Sequence, residues 1–316
     1  MDAALKTYIR VVEVWVPDRD QSLLEFGGGL YGHAKRLGLV SRAMCFGRGE
    51  GLPGRAWDEG RPIVLKQLDP SLFRRSEQAR ADGLTCGIAL PIFSGDTLNA
   101  VLVMFCGDDA EHAGAIELWR NDPAESSDMT LDDGYYGNTA DAFEFISRRT
   151  SFRKGIGLPG IVWQAGAPVF LPDLGKSGRF LRADSAIKVG INRGFAIPCA
   201  SRGAVNYVLA FLSALATPLV RRLEIWSPAG SDGQLYRAEG WCEAQGLLPP
   251  ASDLGIAAGQ GLIGRAFASA VPMLSERAGD EAGPVGAAAA DAGATSVVAL
   301  PVLRHGRAAS VLAWYF

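Results

Sequence analysis

The residues whose types and spacing most suggest chemistry in this chain are glycines. The spacing Gly-x-Gly-x-x-Gly occurs as Gly49-Glu50-Gly51-Leu52-Pro53-Gly54, as Gly155-Ile156-Gly157-Leu158-Pro159-Gly160, and as Gly259-Gln260-Gly261-Leu262-Ile263-Gly264. One such segment, with an acidic residue about twenty positions on, suggests a dinucleotide site, and Asp69, Asp173 and Glu276 stand at about that distance. The next element argues against it. Gly60 or Gly166, and then Pro62, Pro168 and Pro272, stop each following helix after about two turns, whereas a dinucleotide crossover helix runs the length of a parallel strand. Three copies, with first glycines at 49, 155 and 259, show a triplicated module instead.

A second set of candidates is polar. Arg75 in Phe73-Arg74-Arg75 and Arg182 in Phe180-Leu181-Arg182 are equivalent, because residues 73–83 align without gaps on 180–190; each segment reads as a helix ended by a glycine. An arginine facing inward presents a planar fork to a carboxylate or phosphate, and one facing outward is a solvated charge. Thr85 and Asn192 are also equivalent, and either add hydrogen bonds to a ligand or cap backbone groups. Trp57 and Trp163, with Phe267 in the third copy, sit late on the short helix and either stack on a ligand or pack a core. The candidate ligand set is therefore Arg75, Thr85 and Trp57 in one module and Arg182, Asn192 and Trp163 in the next. The third module has Val285 at the arginine position and is expected to bind no anion.

The elements that must position these groups repeat in order. Each module opens with Glu-x-Trp in an alternating stretch (Glu13-Val14-Trp15, Glu117-Leu118-Trp119, Glu224-Ile225-Trp226), which reads as a strand. A short strand follows each short helix, and each module closes with an Ala-x-Pro strand (Ala89-Leu90-Pro91, Ala196-Ile197-Pro198, Ala299-Leu300-Pro301), a turn and a last apolar strand. The turns are Ser94-Gly95-Asp96, Ser201-Arg202-Gly203 and Arg304-His305-Gly306, and the strand pairs read as antiparallel hairpins. The domains are expected at 1–109, 110–216 and 217–316.

This combination, from Glu-x-Trp through Gly-x-Gly-Leu-Pro-Gly and Phe-x-Arg to Ala-x-Pro, resembles the GAF domain family, and the resemblance covers nearly the whole chain as three copies. It implies an α+β fold of three tandem modules, each a central antiparallel sheet with short helices on one face around a small-molecule pocket. It also implies sensing of a ligand and transmission to a partner. The long terminal helices that cover the back of the sheet in such domains have no room here, since Gly107–Ala115 and Ala214–Leu223 join the modules directly. Trp15, Trp119 and Trp226 are therefore expected on an outer face, covered by neighbouring modules or by a second chain, as in a homodimer, or left as an interaction surface, the competing reading being a tryptophan half-buried beneath flanking segments such as Tyr8-Ile9-Arg10-Val11. No recognisable output element follows the third module, so the signal leaves through a separate protein, or the chain is a fragment.

Composition narrows the classes. The chain has 316 residues and a net charge of −3, and no module departs from neutrality by more than two charges, which disfavours nucleic-acid binding. No apolar run is long enough to span a membrane and the first residues are not a signal peptide. Five scattered cysteines (Cys45, Cys86, Cys106, Cys199, Cys242) without a Cys-x-x-Cys point to a reducing compartment and to neither metal nor disulfide framework. Bilin attachment is disfavoured because Cys86 and Cys199 are followed by Gly87 and Ala200, and haem because His33, His112 and His305 lie in loops, a linker and a turn. The cyclic-nucleotide pattern is absent, so no cofactor is expected. The reading is a non-enzymatic, cytoplasmic, bacterial signalling protein that senses a small molecule in modules one and two. The alternatives are a ligand-free interaction scaffold and, further off, a thiol-dependent enzyme of the GAF-type methionine sulfoxide reductase kind using Cys86 and Cys106.

Overall fold

In the stretch Val11-Val12-Glu13-Val14-Trp15 neither parity is polar enough to face water, which requires a strand buried on both sides. The computed structural model describes residues 6–108, 114–137, 139, 141–200, 203–214, 217–229 and 232–316 and shows how this is met. His112, the turn residues Ser201 and Arg202 and parts of both intermodule links lie outside the described residues.

The first sheet runs in the order β3-β2-β1-β6-β5-β4, from β1 (Ile9–Pro17), β2 (Leu23–Leu30), β3 (Cys45–Gly47), β4 (Ile63–Leu65), β5 (Cys86–Ser94) and β6 (Thr97–Cys106). The second repeats it as β9-β8-β7-β12-β11-β10, from β7 (Gly114–Asn121), β8 (Met129–Tyr135), β9 (Ser151–Phe152), β10 (Val169–Leu171), β11 (Arg193–Cys199) and β12 (Asn206–Ser213). The third is β15-β14-β13-β19-β18-β17, from β13 (Arg222–Pro228), β14 (Gln234–Cys242), β15 (Gly246–Leu248), β17 (Met273–Ser275), β18 (Val297–Arg304) and β19 (Arg307–Tyr315), with β16 (Ala251–Ala257) also paired to β14. All pairings are antiparallel. The helices are α1 (Lys35–Ser41), α2 (Gly51–Glu59) and α3 (Ser76–Ala81), then α4 (Asp141–Arg148), α5 (Gly157–Ala165) and α6 (Ala183–Lys188), then α7 (Gly261–Ser269) and α8 (Pro284–Ala292). Each module is thus an antiparallel sheet with short helices on one face, as the resemblance implies. The helices expected over 73–83 and 180–190 are shorter: α3 and α6 begin after Arg75 and Arg182, which take the N-cap positions.

The glycine motif is explained by packing. A Cβ on Gly54 would sit 2.1 Å from the Gly47 carbonyl oxygen, and on Gly160 and Gly264 2.2 Å from those of Arg153 and Ala257. The first two glycines of each motif have positive φ, between 58° and 85°, so the loop turns tightly into the helix and seats its first turn on the preceding strand. Each helix then ends on a left-handed residue, Gly60, Gly166 or Ala270.

The sheet backs cover one another. Val12 and Val14, and their counterparts Ile116 and Leu118, Leu223 and Ile225, join Leu102, Leu209, Leu312 and Trp314 in a single core that draws on all three sheets. Trp314 meets Phe195 and Phe211 of the second module edge to face, with centroids 6.0 and 6.3 Å apart. The modules contact head to tail. Arg61 pairs with Asp132 at 3.2 Å and Lys66 with Asp133, joining β4 to β8; Phe170 packs on Trp241 at 5.6 Å, joining β10 to β14. Leu274 of β17 lies against Gly28 of β2, and Arg42 pairs with Glu276 at 2.9 Å, so the third joint returns to the first module. The result is a pseudo-threefold ring closed within one chain by repeated heterologous contacts.

Trp15, Trp119 and Trp226 are not on that back face. They are 0%, 0% and 1% exposed and lie in the three helix-side cores, so the expected interaction surface is overturned. The physical reason is parity: Trp15 shares its face with Glu13, and the intervening Val12 and Val14 supply the apolar back.

A Gly54→Ala substitution is expected to cost about 2–4 kcal/mol in urea unfolding, in the range of a severe steric lesion. Ala270→Gly is expected to stabilise by about 0.5–1 kcal/mol by relieving a left-handed residue. A Gly54→Ala protein as stable as wild type would contradict the packing explanation.

Candidate functional site

Each Glu-x-Trp glutamate is buried on the helix side, where an isolated carboxylate is costly, and the sequence around it supplies cations and donors. In module one Glu13 accepts from Arg75 Nη1 at 2.6 Å, Ser41 Oγ at 2.7 Å and Tyr31 Oη at 3.0 Å on Oε1, and from Trp15 Nε1 at 3.0 Å on Oε2. Module two repeats the set. Arg182 donates to Glu117 through Nη1 at 2.5 Å and Nη2 at 2.7 Å, with Tyr136 Oη at 3.1 Å and Trp119 Nε1 at 3.1 Å, and Ser147 accepts from Arg182 as well.

Both candidate arginines therefore face inward, at 1% and 5% exposure, and their partner is a carboxylate of their own module. The Arg75 guanidinium is also enclosed by Phe73, Trp15, Phe46 and Phe105, with ring centroids 5.0 to 5.8 Å away, and its Nε and Nη2 have no hydrogen-bond partner. The expectation that module three lacks such a group is corrected. Val285 does replace the arginine, but Glu224 is held by Arg222 Nη2 at 2.6 Å, Arg237 Nη1 at 3.2 Å, Tyr315 Oη at 3.0 Å and Trp226 Nε1 at 3.0 Å. Sequence reasoning missed Arg222, Arg237 and Tyr315; a glutamate retained while its arginine disappears was the signal that another cation must replace it.

The remaining candidates divide. Trp57 is buried in the first module's core, whereas Trp163 is half-buried with Lys154 Nζ 5.5 Å from its ring. Thr85 points to the module boundary, where its hydroxyl accepts from the Asp108 backbone N–H at 3.2 Å. Asn192 anchors backbone, its carbonyl accepting from Leu174 N–H at 2.8 Å, while its buried Oδ1 has no partner. Thr85 and Asn192 thus do not join the arginines in one pocket.

Burial by itself raises the Glu117 carboxyl, but the charge and hydrogen bonds of Arg182, with Ser147 and Tyr136, outweigh it and hold the group below its ordinary value. Burial and the glutamate charge push the Tyr31 and Tyr136 phenols up, keeping them as protonated donors.

The open space lies elsewhere. A cavity of about 620 Å³ opens where module three meets module one, lined among others by Arg10, Leu30, Tyr31, His33, Arg221 and Ser296. Tyr31 links it to the first module's interior, since the same side chain lines the cavity and donates to Glu13. The cysteines do not build a site there. Cys86 and Cys106 face each other across β5 and β6, both fully buried in the shared core, and burial pushes the Cys86 thiol well up. Among the described residues no group of histidine, cysteine and carboxylate side chains is arranged to hold a metal.

No protein-family model and no curated protein matches this chain. Among solved structures it is similar to the GAF domain of A. aeolicus nlh2 in an inactive state, at 20% identity and TM-score 0.26 over 33% of this chain and 60% of that one. It is similar to Staphylococcus aureus NreA mutated in its nitrate binding site, at 15% identity and TM-score 0.27 over 32% and 74%. It is also similar to the free methionine-R-sulfoxide reductase of Neisseria meningitidis in complex with its substrate, at 16% identity and TM-score 0.25 over 33% and 53%. Each likeness spans about one module here, and under two thirds of the first of those chains. The chain's own fold, three tandem modules of antiparallel sheet with short helices on one face, agrees with the GAF-like resemblance of its sequence.

Arg182→Met should cost about 3–5 kcal/mol because it strands a buried carboxylate, and Glu117→Gln/Arg182→Met should recover most of it. With its folded value lowered, Glu117 contributes stability above its unfolded value near 4.5, lost as the pH falls through the folded value. Urea unfolding between pH 6 and pH 3 should fall less steeply in the double variant; equal slopes would contradict this assignment. Thiol alkylation tests the cysteines separately: native protein should react rapidly at the exposed Cys45 alone and denatured protein at all five. Rapid native labelling of Cys86 or Cys106 would revive thiol chemistry.

Proposed function

We propose that this chain is a non-enzymatic regulatory protein that binds a small molecule between its first and third modules and signals through a separate partner. The observation that carries the reading is the 620 Å³ cavity, of ordinary size for a small-molecule site, built from two modules and walled by Tyr31. The expected sites inside modules one and two are supported less, because Glu13 and Glu117 already occupy the forks of Arg75 and Arg182. A ligand against Tyr31 acts on a residue shared with the Glu13 cluster and beside Arg42, whose guanidinium lies 5.8 Å from the Tyr31 ring and pairs with Glu276 of module three. Ligand occupancy thereby biases the joint between two modules, a coupling of binding to domain geometry. The five cysteines are free thiols, which supports a reducing location; among the described residues no helix is long and apolar enough to cross a membrane.

Native mass spectrometry of protein purified gently from its own host tests this. One small-molecule mass per chain is expected, absent from a Leu30→Trp variant that fills the cavity wall. A bare chain in the wild type would favour the scaffold reading, which the occupied module interiors already support.

A further inference from the structure

The outward helical faces of the modules can be compared position by position. The glycine motifs make Glu50 equivalent to Ile156, and the gapless segments 73–83 and 180–190 make Arg74 equivalent to Leu181 and Arg80 to Ile187. Along the motif helix, Arg55, Asp58 and Glu59 of α2 correspond to Ile161, Gln164 and Ala165 of α5, which carries no charged side chain.

In module one these positions form a mesh of ion pairs. Arg74 pairs with Glu50 at 2.9 Å, Arg48 with Asp58 at 2.9 Å and Arg55 with Glu59 at 3.2 Å, while Arg80 donates to the Gln67 and Leu68 carbonyls at 2.8 and 3.2 Å. Such pairs add little stability, but they keep a face polar. Module two has lost all of them. Ile156, Leu181 and Ile187 stand 50%, 59% and 47% exposed where module one has Glu50, Arg74 and Arg80. Leu181 lies against the start of α5, its Cγ 3.6 Å from where a Cβ on Gly157 would stand, so Ile156 and Leu181 make an apolar step in place of a salt bridge. Module three has Gln260 and Pro284 at those two positions. Single exposed apolar side chains are ordinary, but a group of them where a sibling module holds paired charges marks a contact surface.

The charge of this face changes with it. Besides the buried Arg75, residues 47–83 carry six Lys and Arg against six Asp and Glu; besides the buried Arg182, residues 153–190 carry five against two. Carboxylates temper some of these cations: Asp173 takes Lys176 at 3.3 Å, Asp128 stands 3.9 Å from Arg153, and the Arg179 charge acts on Glu239. Lys154, equivalent to Arg48, lies 5.5 Å from the Trp163 ring, because Gln164 stands where Arg48 finds Asp58. Lys154 precedes Ile156 by two residues and Lys188 follows Ile187, both exposed, so a lysine adjoins each end of the apolar set in sequence.

Resting on the reading that the signal leaves through a separate protein, we infer that this protein docks on the helical face of module two around Ile156 and Leu181, and that its docking segment is an acidic amphipathic helix. The apolar side of that helix buries the step between α5 and α6, and its carboxylates meet Lys154 and Lys188, which sets both affinity and choice of partner. A second copy of this chain fits less well, since a twofold contact through this face would set basic surface against basic surface.

The test is fluorescence anisotropy of the full chain with three short helical peptides that share a leucine face and carry glutamate, lysine or glutamine on the polar face. Wild type is compared with Ile156→Glu/Leu181→Arg, which transplants the module-one ion pair, with Lys154→Glu and with Leu30→Trp, each first shown to unfold cooperatively. Expected are binding of the glutamate peptide and none of the lysine peptide, and a loss of about tenfold or more in affinity in the double variant. A smaller loss is expected in Lys154→Glu, and wild-type affinity in Leu30→Trp, which alters the cavity alone. Glutamate-peptide affinity unchanged in the double variant would place the site elsewhere and overturn the inference, as would equal binding of all three peptides or binding of none. Cosedimentation with phosphatidylglycerol vesicles, or self-association, that the double variant abolishes while no peptide binds would make the face a membrane or a self-contact, and either overturns it. The ligand reading fails separately: a bare chain by native mass spectrometry with the expected peptide result removes the small molecule and leaves the docking face standing.

Discussion

Three sheets, each apolar on both faces and without long helices to cover its back, must share one core. That constraint shapes everything else. Two such sheets face to face would leave the third exposed, and a ring of three buries all the backs at once. Heterologous contacts normally risk open-ended assembly; carried by three linked copies whose last joint returns to the first, they close. The paired charges at the joints, Arg61 with Asp132 and Arg42 with Glu276, are partly exposed and contribute little energy, so they set register while Val12, Leu209, Trp314 and their neighbours supply the burial.

The buried glutamate is the second constraint. Each copy keeps its carboxylate in a low-dielectric interior, and each solves the problem it creates. Modules one and two use an arginine at the start of a short helix, a serine from another helix and a tyrosine following β2 or β8. Module three uses Arg222 from the same strand, Arg237 from its neighbour and Tyr315 from β19. The requirement is conserved through the repeat while the residues that meet it change. For function this means that polar convergence inside a module is structural.

Much of the fold was legible because its punctuation has a backbone cause. Gly54, Gly160 and Gly264 admit a carbonyl oxygen to within 2.2 Å of where a Cβ would stand, and no other residue leaves that space, so the motif recurs unblurred. The Ala-x-Pro strands were readable for a similar reason: Pro91, Pro198 and Pro301 lie two residues beyond the ends of β4, β10 and β17, where the ladder on that edge has stopped. The site was less legible. Alternation around Trp15 gives two faces and does not say which one meets the helices. Arg75 and Arg182 were found, but their partners Glu13 and Glu117 stand 62 and 65 residues away, and a distant ion pair leaves no local periodicity. The cavity was invisible for a stronger reason, because Leu30, Gly32 and Ser296 line it together only once two modules are joined.

The shared core makes the three modules one cooperative unit, and differential scanning calorimetry of the intact chain tests that directly. The account predicts a single transition whose van't Hoff and calorimetric enthalpies agree. Two or three separable transitions, each with the enthalpy of one module, would contradict it, because the sheet backs would then be contacts between independently stable domains.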